Sequence, residues 1–104
     1  MAASARKRRP KIPKTFAVMG HTITVKRIPA SRWKAGKSCV GYFDPATLTI
    51  AVCAGIAPTA QEQTFWHEVT HCLLFALNSP HYENEEFVDQ VGGLLHQIVS
   101  SLEF

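Results

Sequence analysis

The sequence has no basic residue after position 37 and no acidic residue before position 38. All 11 lysines and arginines lie in residues 1–37, and all 8 aspartates and glutamates lie in residues 38–104. Long apolar runs are also missing, since stretches such as residues 72–77 are far shorter than the ~20 residues needed to cross a bilayer. The sequence therefore predicts no membrane span. It predicts a basic N-terminal part and an acidic part that carries the function.

Cysteine is scarce, with 3 residues, Cys39, Cys53 and Cys72, and no C-x-x-C spacing. An odd number of scattered thiols is typical of a reducing compartment and argues against a disulfide framework. No apolar signal-peptide core follows the basic N-terminus, so export by that route is not expected. The sequence thus predicts a cytoplasmic protein.

A chain of 104 residues with 46% hydrophobic residues is long enough to form one small packed domain. Residues 1–14 contain six basic residues, two prolines and almost no side chain that folding would bury. They predict a disordered basic arm, and residues 15–104 predict the packed domain. The arm either contacts nucleic acid or another polyanion through residues 6–14, or it is a solvated tail.

Two β-hairpins are predicted after the arm. In the first, residues 15–19 pair with residues 22–26 around a two-residue turn of Gly20 and His21. In the second, residues 39–43 pair with residues 48–53 around a turn that contains Pro45. Trp33, in the loop between the hairpins, either stacks on a base or a substrate or caps the core.

Two helices follow the hairpins. Residues 58–77 are apolar over most of the helix circumference, with Thr59 and Glu62 at the spacing of a capping box and Asn78 as a left-handed end. Residues 83–102 predict a second helix with Gly92 and Gly93 in its middle, which costs roughly 1–2 kcal/mol of helix propensity and indicates a close helix–helix approach. The predicted fold is α+β, with a small antiparallel sheet of two hairpins packed on two C-terminal helices.

The first helix carries the sequence His67-Glu68-Val69-Thr70-His71. Residues i and i+4 lie on the same face of a helix, so His67 and His71 can offer two imidazole nitrogens to one metal ion. This is the His-Glu-x-x-His arrangement of zinc hydrolases, in which the glutamate acts as the general base. The alternative is a pair of core histidines with ordinary hydrogen bonds, but a metal would satisfy both histidines and Glu68 together.

Catalytic zinc sites usually have three protein ligands, and the second helix offers the third. Position 85 lies one helical turn before Val88 and two before Gly92, so periodicity favours Glu85 over its neighbour Glu86. His81, in the loop before this helix, is a further alternative. Asp89, one turn after Glu85, is placed to accept the second N–H of a zinc-bound histidine.

These segments resemble a known family. The sequences TFWHEVTHCLLFAL, ENEEFVDQVGGLLHQIV and GYFDPATLTIAV are similar to those of small phage and prophage zinc metallopeptidase-like proteins related to the ImmA/IrrE family, which are gluzincin-type enzymes. The resemblance covers residues 15–102 and is most specific at the zinc helix. It implies a minimal zincin-like domain with zinc bound by His67, His71 and Glu85, and with Glu68 as general base. The chain departs from the family in lacking the Ala-Asn pair that usually follows the ligating glutamate.

The motif and the resemblance together predict a zinc-dependent metallopeptidase that hydrolyses peptide bonds of a peptide or protein substrate, in the host cytoplasm if a phage encodes it. In metallopeptidases generally, the strand before the zinc helix is often an exposed edge that pairs with substrate, and residues 48–52 are placed for this. Tyr82 and His81 are candidate donors to the oxyanion. The alternative function is a non-catalytic zinc-containing binding module whose basic arm contacts nucleic acid or an assembly partner.

Overall fold

The computed structural model describes residues 9–104. Its elements in chain order are strand β1 (Thr15–Val18), strand β2 (His21–Ile28), a 3₁₀ turn (Ala30–Arg32), strand β3 (Gly41–Asp44), strand β4 (Thr49–Cys53), helix α1 (Pro58–Ala76) and helix α2 (Glu85–Ser101). The α+β class and the two helices are confirmed. No helix in the described part of the chain is long and apolar enough to span a membrane.

The four strands form one mixed sheet in the order β1-β2-β4-β3. Each predicted hairpin is present as an antiparallel pair, with Phe16 opposite Ile23 in the first and Phe43 opposite Ile50 in the second. The two hairpins are joined by parallel pairing of β2 with β4, so the sheet is mixed and not wholly antiparallel as predicted. The first turn uses Met19 and Gly20, at φ 52° and 82°, one residue earlier than predicted, so His21 begins β2.

The expectation that residues 48–52 form an exposed edge is wrong. Strand β4 lies between β2 and β3, and its residues from Ile50 to Cys53 are all buried. A strand paired on both sides and covered on both faces is typically a continuous apolar run, which is what the segment TIAVC shows. The edge of the sheet on this side is β3.

The core lies between the sheet and α1. It consists of a cluster of buried side chains from β2, β4 and α1, namely Ile23, Val25, Ile50, Val52, Phe65, Val69 and Cys72. Helix α2 packs against α1 through Val88, which is fully buried, and through Gly92. The α1 face that is turned away from the sheet core therefore meets α2 and the loop before it.

The helix ends differ from prediction at two places. Thr59 and Glu62 form no capping box, because α1 begins at Pro58 after the N-cap residue Ala57, which has no side-chain cap. Helix α2 begins at Glu85, two residues later than predicted, because the Asn84 side chain accepts a hydrogen bond from the Phe87 N–H (3.1 Å). Asn78 takes the left-handed conformation (φ 51°) that the sequence predicts after α1.

The buried Glu62 carboxylate is turned toward the N-terminal segment and α2. It accepts a hydrogen bond from the Lys11 N–H (2.8 Å) and lies 3.2 Å from Nε2 of His96. Ile12 also packs against the core. Residues 1–8 of the predicted arm lie outside the described residues, and the packed contacts extend at least to Lys11.

Candidate functional site

His67 and His71 lie one turn apart on α1, on the face that meets α2. Their ring centroids are 5.1 Å apart, and both side chains are largely buried, with 21% and 12% of their surface exposed. The i, i+4 spacing on a helix produces this arrangement directly. The two rings therefore face a common space at the helix surface.

Glu85, the first residue of α2, reaches both histidines. Its Oε1 lies 3.0 Å from Nε2 of His67, and its Oε2 lies 3.1 Å from Nε2 of His71. Within residues 9–104, the one group of side chains arranged to hold a metal ion is His67, His71 and Glu85. It contains neither Glu86, which is exposed, nor His81, whose ring stacks on Phe87 (centroids 4.7 Å apart).

The other ring nitrogen of each histidine faces an acceptor. Nδ1 of His71 lies 2.8 Å from the carbonyl oxygen of Tyr82, and Nδ1 of His67 lies 3.5 Å from a carboxylate oxygen of Asp89. A carbonyl oxygen can only accept, so Nδ1 of His71 carries the hydrogen. The tautomer of His67 is not fixed in this way, because Asp89 is 3.5 Å from its Nδ1 and Glu85 is nearer, at 3.0 Å from its Nε2. Asp89 lies beside His67, on the side where the sequence predicts a supporting carboxylate.

The assignment at His71 determines what its Nε2 atom can do. A neutral imidazole with its hydrogen on Nδ1 presents a lone pair at Nε2, and at His71 this lone pair is directed at the Glu85 carboxylate, 3.1 Å away. A lone pair that faces a carboxylate at this distance is repelled unless a proton or a cation lies between them. The arrangement therefore requires either protons on the histidines or a cation among the three side chains.

The donor set fits zinc. Two imidazole nitrogens and a carboxylate oxygen are ligands that zinc takes in catalytic sites, and tetrahedral bonds of about 2.0–2.1 Å place neighbouring ligand atoms about 3.3 Å apart. The observed separations of 3.0 and 3.1 Å are close to that value. The hydrogen bond from Nδ1 of His71 to the Tyr82 carbonyl is the outer support usual for metal-bound histidines, and the Asp89 carboxylate lies on the corresponding side of His67.

Glu68 lies beside His67 on α1 and is 6% exposed. Burial raises the pKa of its carboxyl group above the ordinary value, and the nearby Glu85 charge adds to this, while His67 and His71 oppose it. The side chain lines the same cleft as the two histidines. A carboxylate with a raised pKa beside a candidate metal site is suited to accept and return a proton.

These side chains lie at the bottom of a cleft of about 790 Å³. Helix α1 forms its floor, residues 38–43 at the edge of the sheet form one wall, and Tyr82, Glu83, Glu85 and Asp89 form the other. Since β3 is an edge strand, the side of its backbone that faces away from β4 has no neighbouring strand. The cleft can therefore receive an extended chain against β3.

Two glycines allow the walls to approach the floor. A Cβ atom at Gly92 would lie 2.9 Å from Cα and 3.1 Å from N of His67, and a Cβ at Gly41 would collide with Cγ2 of Thr64 and lie 3.5 Å from Cγ of Glu68. The close helix approach predicted from Gly92 and Gly93 is confirmed at Gly92. At Gly93 a Cβ would meet only the end of a flexible side chain, Nε2 of Gln63 at 3.3 Å.

Sequence reasoning missed three parts of this site. The sequence gives no indication that Gly41 lies against α1. The Tyr82 carbonyl is a backbone group, so its role does not depend on the type of residue. The edge strand beside the site is β3, whereas residues 48–52 were predicted to be the edge. The remaining histidines lie outside the group. His96 contacts Glu62 and Gln63, and His21 is exposed at the start of β2.

The chain matches no protein-family model, no curated protein and no solved structure.

Proposed function

We propose that the protein is a zinc-dependent metallopeptidase with a minimal zincin-like domain, of the phage type related to the ImmA/IrrE family. One observation carries the proposal. The Nε2 atoms of His67 and His71 face the Glu85 carboxylate at 3.0 and 3.1 Å, while both Nδ1 atoms face acceptors. This arrangement calls for positive charge among the three side chains, and its donors and distances suit zinc.

His67, His71 and Glu85 would hold the ion at the floor of the cleft. When bound there, zinc supplies Lewis acidity that polarises a peptide carbonyl and lowers the pKa of water. The Tyr82 carbonyl holds the hydrogen of His71 on Nδ1, which directs the Nε2 lone pair toward the place of the ion, and Asp89 would support His67 in the same way.

Glu68 performs the proton transfers. Its carboxylate accepts a proton from the attacking water and later delivers it to the leaving amine nitrogen. Burial favours the protonated form between these two events, since the neutral carboxylic acid is less costly to desolvate than the carboxylate.

The edge strand β3 supplies the substrate-binding wall. An extended peptide can pair with the unpaired side of β3 by backbone hydrogen bonds, which places a peptide bond over His67 and Glu68 on the cleft floor. Such pairing binds any sequence through its backbone, so selectivity must come from side chains that line the cleft.

The test is Glu68→Gln, which keeps the size of the side chain and removes the base. With a mixture of unstructured peptides as substrate, we expect a loss of hydrolysis of at least about 100-fold. Zinc content should stay at the parent level, because Glu68 is not in the ligand group. Glu103→Gln, an exposed substitution with the same charge change, is the control. Full activity of Glu68→Gln would contradict the mechanism.

A second function, contact with a polyanion such as nucleic acid, is favoured by a separate observation. Arg9 and Arg27 line a common pocket of about 500 Å³ beside the start of α1. Binding through these side chains should weaken steeply as salt rises, and Arg27→Gln should weaken it further, while Lys34→Gln, outside this pocket, should have less effect. Absence of DNA or RNA binding by the full chain at low salt would exclude this function.

A further inference from the structure

The two ends of the cleft differ in their side chains. Phe75 contacts both Phe43 on β3 (centroids 5.8 Å apart) and Tyr82 in the opposite wall (5.9 Å). These contacts place Tyr82 and Glu83 next to the end of β3 that leads to Asp44. The opposite end of the cleft is formed by Ser38, which follows the exposed Lys37 in the chain.

The wall of the cleft at Tyr82 is acidic. Glu83 lines the cleft next to Tyr82, and Glu85 and Asp89 continue the same wall. The end of the cleft at Tyr82 is therefore an aromatic surface with a carboxylate beside it.

A bound zinc ion does not cancel this charge. The ion contributes +2, and Glu85 with ionised Glu68 contributes −2, so the centre is formally neutral. Glu83 and Asp89 remain in the acidic wall, and no lysine or arginine lines the described cleft. The charge that a substrate meets at the Tyr82 end is thus negative in the loaded protein.

We propose that the cleft selects extended peptides that carry a lysine or arginine in the part lying at the Tyr82–Glu83 end. The aliphatic stem of such a side chain packs along aromatic rings, and its cationic head reaches the carboxylate of Glu83. Because the opposite end adjoins Lys37, the preference applies to one side of the cleaved bond only. This substrate class rests on the proposed peptidase function.

The experiment uses the zinc-loaded full chain and a set of neutral peptides in which a single lysine is moved along an otherwise constant sequence. We expect kcat/KM to rise about three- to tenfold when the lysine occupies one or two positions on one side of the cleaved bond. The increase should shrink as salt rises from 50 to 500 mM, because the carboxylates are partly exposed. Equal rates at all positions, or equal gains on both sides, would overturn the proposal.

Variants identify the groups responsible. Glu83→Gln should reduce the ratio of kcat/KM for the lysine peptide over the neutral peptide at least twofold, whereas the exposed substitution Glu103→Gln should leave that ratio unchanged. An unchanged ratio in Glu83→Gln would overturn the assignment to this end of the cleft.

Failure of the proposed function can be told apart from failure of this inference. Hydrolysis of neutral and lysine peptides at equal rates leaves the peptidase function standing and removes the selectivity. If no peptide is hydrolysed, binding of the same fluorescent peptides to the zinc-loaded chain decides the inference. Tighter binding of the lysine peptide supports the acidic end, and equal binding overturns it.

Discussion

Replacing Gly92 by alanine should disturb the candidate metal site, although Gly92 lies two helical turns after Glu85, the candidate ligand on the same helix. The new Cβ would lie 2.9 Å from Cα of His67, where ordinary contacts begin near 3.4 Å, so α2 must move away from α1 by at least 0.5 Å. Both contacting atoms, Cα and N of His67, are backbone and cannot rotate aside. The cost of such overpacking is about 1–3 kcal/mol.

Gly93→Ala is the matched control. Both substitutions exchange glycine for alanine in mid-helix and gain about 1 kcal/mol of helix propensity, so this contribution cancels when the two are compared. At position 93 the nearest atom is the movable end of Gln63. We therefore expect Gly92→Ala to be less stable than Gly93→Ala by about 1–3 kcal/mol, measured by urea denaturation of the metal-free proteins.

Zinc affinity should follow the displacement. Glu85 is carried on the same helix, about 10 Å before Gly92, so a rigid shift of α2 separates its carboxylate from the histidines. Competition with a chelator should show zinc binding weakened about tenfold or more in Gly92→Ala and near the parent level in Gly93→Ala. Equal stability and equal zinc affinity of the two variants would refute the close packing of α2 on His67.

Three further predictions concern the floor and walls of the cleft. Gly41→Ala should destabilise the protein by about 1–3 kcal/mol, measured by thermal unfolding. Adding Thr64→Ser, which removes the colliding methyl, should restore part of this stability. If the double variant is no more stable than Gly41→Ala, the strain lies elsewhere. Glu68→Gln should stabilise the metal-free protein at neutral pH. Burial raises the pKa of Glu68 in the folded protein, so the parent loses stability as the pH rises from the ordinary carboxyl pKa through the raised one. The stability advantage of Glu68→Gln over the parent should therefore vanish in acid. An advantage that persists below pH 4 would contradict burial as its cause. Asp89→Ala should weaken zinc binding about 10–100-fold because its contact with His67 is lost, whereas the control Gln90→Ala should not. Equal zinc affinities of these two variants would show that Asp89 does not support the site.

The grouping of His67, His71 and Glu85 could be predicted from the sequence because helix periodicity determines locally which residues share a face. His67 and His71 share a face by their spacing, and Glu85 shares a face with Val88 and Gly92, both of which are buried against α1. Glu86, one residue further round the helix, lies outside this group. The choice among candidate third ligands thus followed from which face of α2 is apolar.

The strand order of the sheet was harder to predict from the sequence, because pairing between hairpins depends on contacts between residues far apart in the chain. Each hairpin follows from its turn residues, but nothing local states that β2 pairs with β4 and not with β3. One signal was present, since β4 is apolar throughout while β3, with the sequence GYFD, alternates. The capping box failed for a different reason. Pro58 already occupies the first helical position, which puts Thr59 inside the helix, and Glu62 contacts Lys11 and His96 instead.

The proposed metal site is tested by the zinc content of the purified protein, compared with that of Glu85→Ala and of Glu86→Ala. These variants remove neighbouring carboxylates from the first turn of α2, of which one faces the histidines. We expect one zinc per chain in the parent and in Glu86→Ala, and a loss of most of the zinc in Glu85→Ala after dialysis against a weak chelator. A parent protein that binds no zinc, or a Glu85→Ala variant that keeps it fully, would contradict zinc binding by His67, His71 and Glu85.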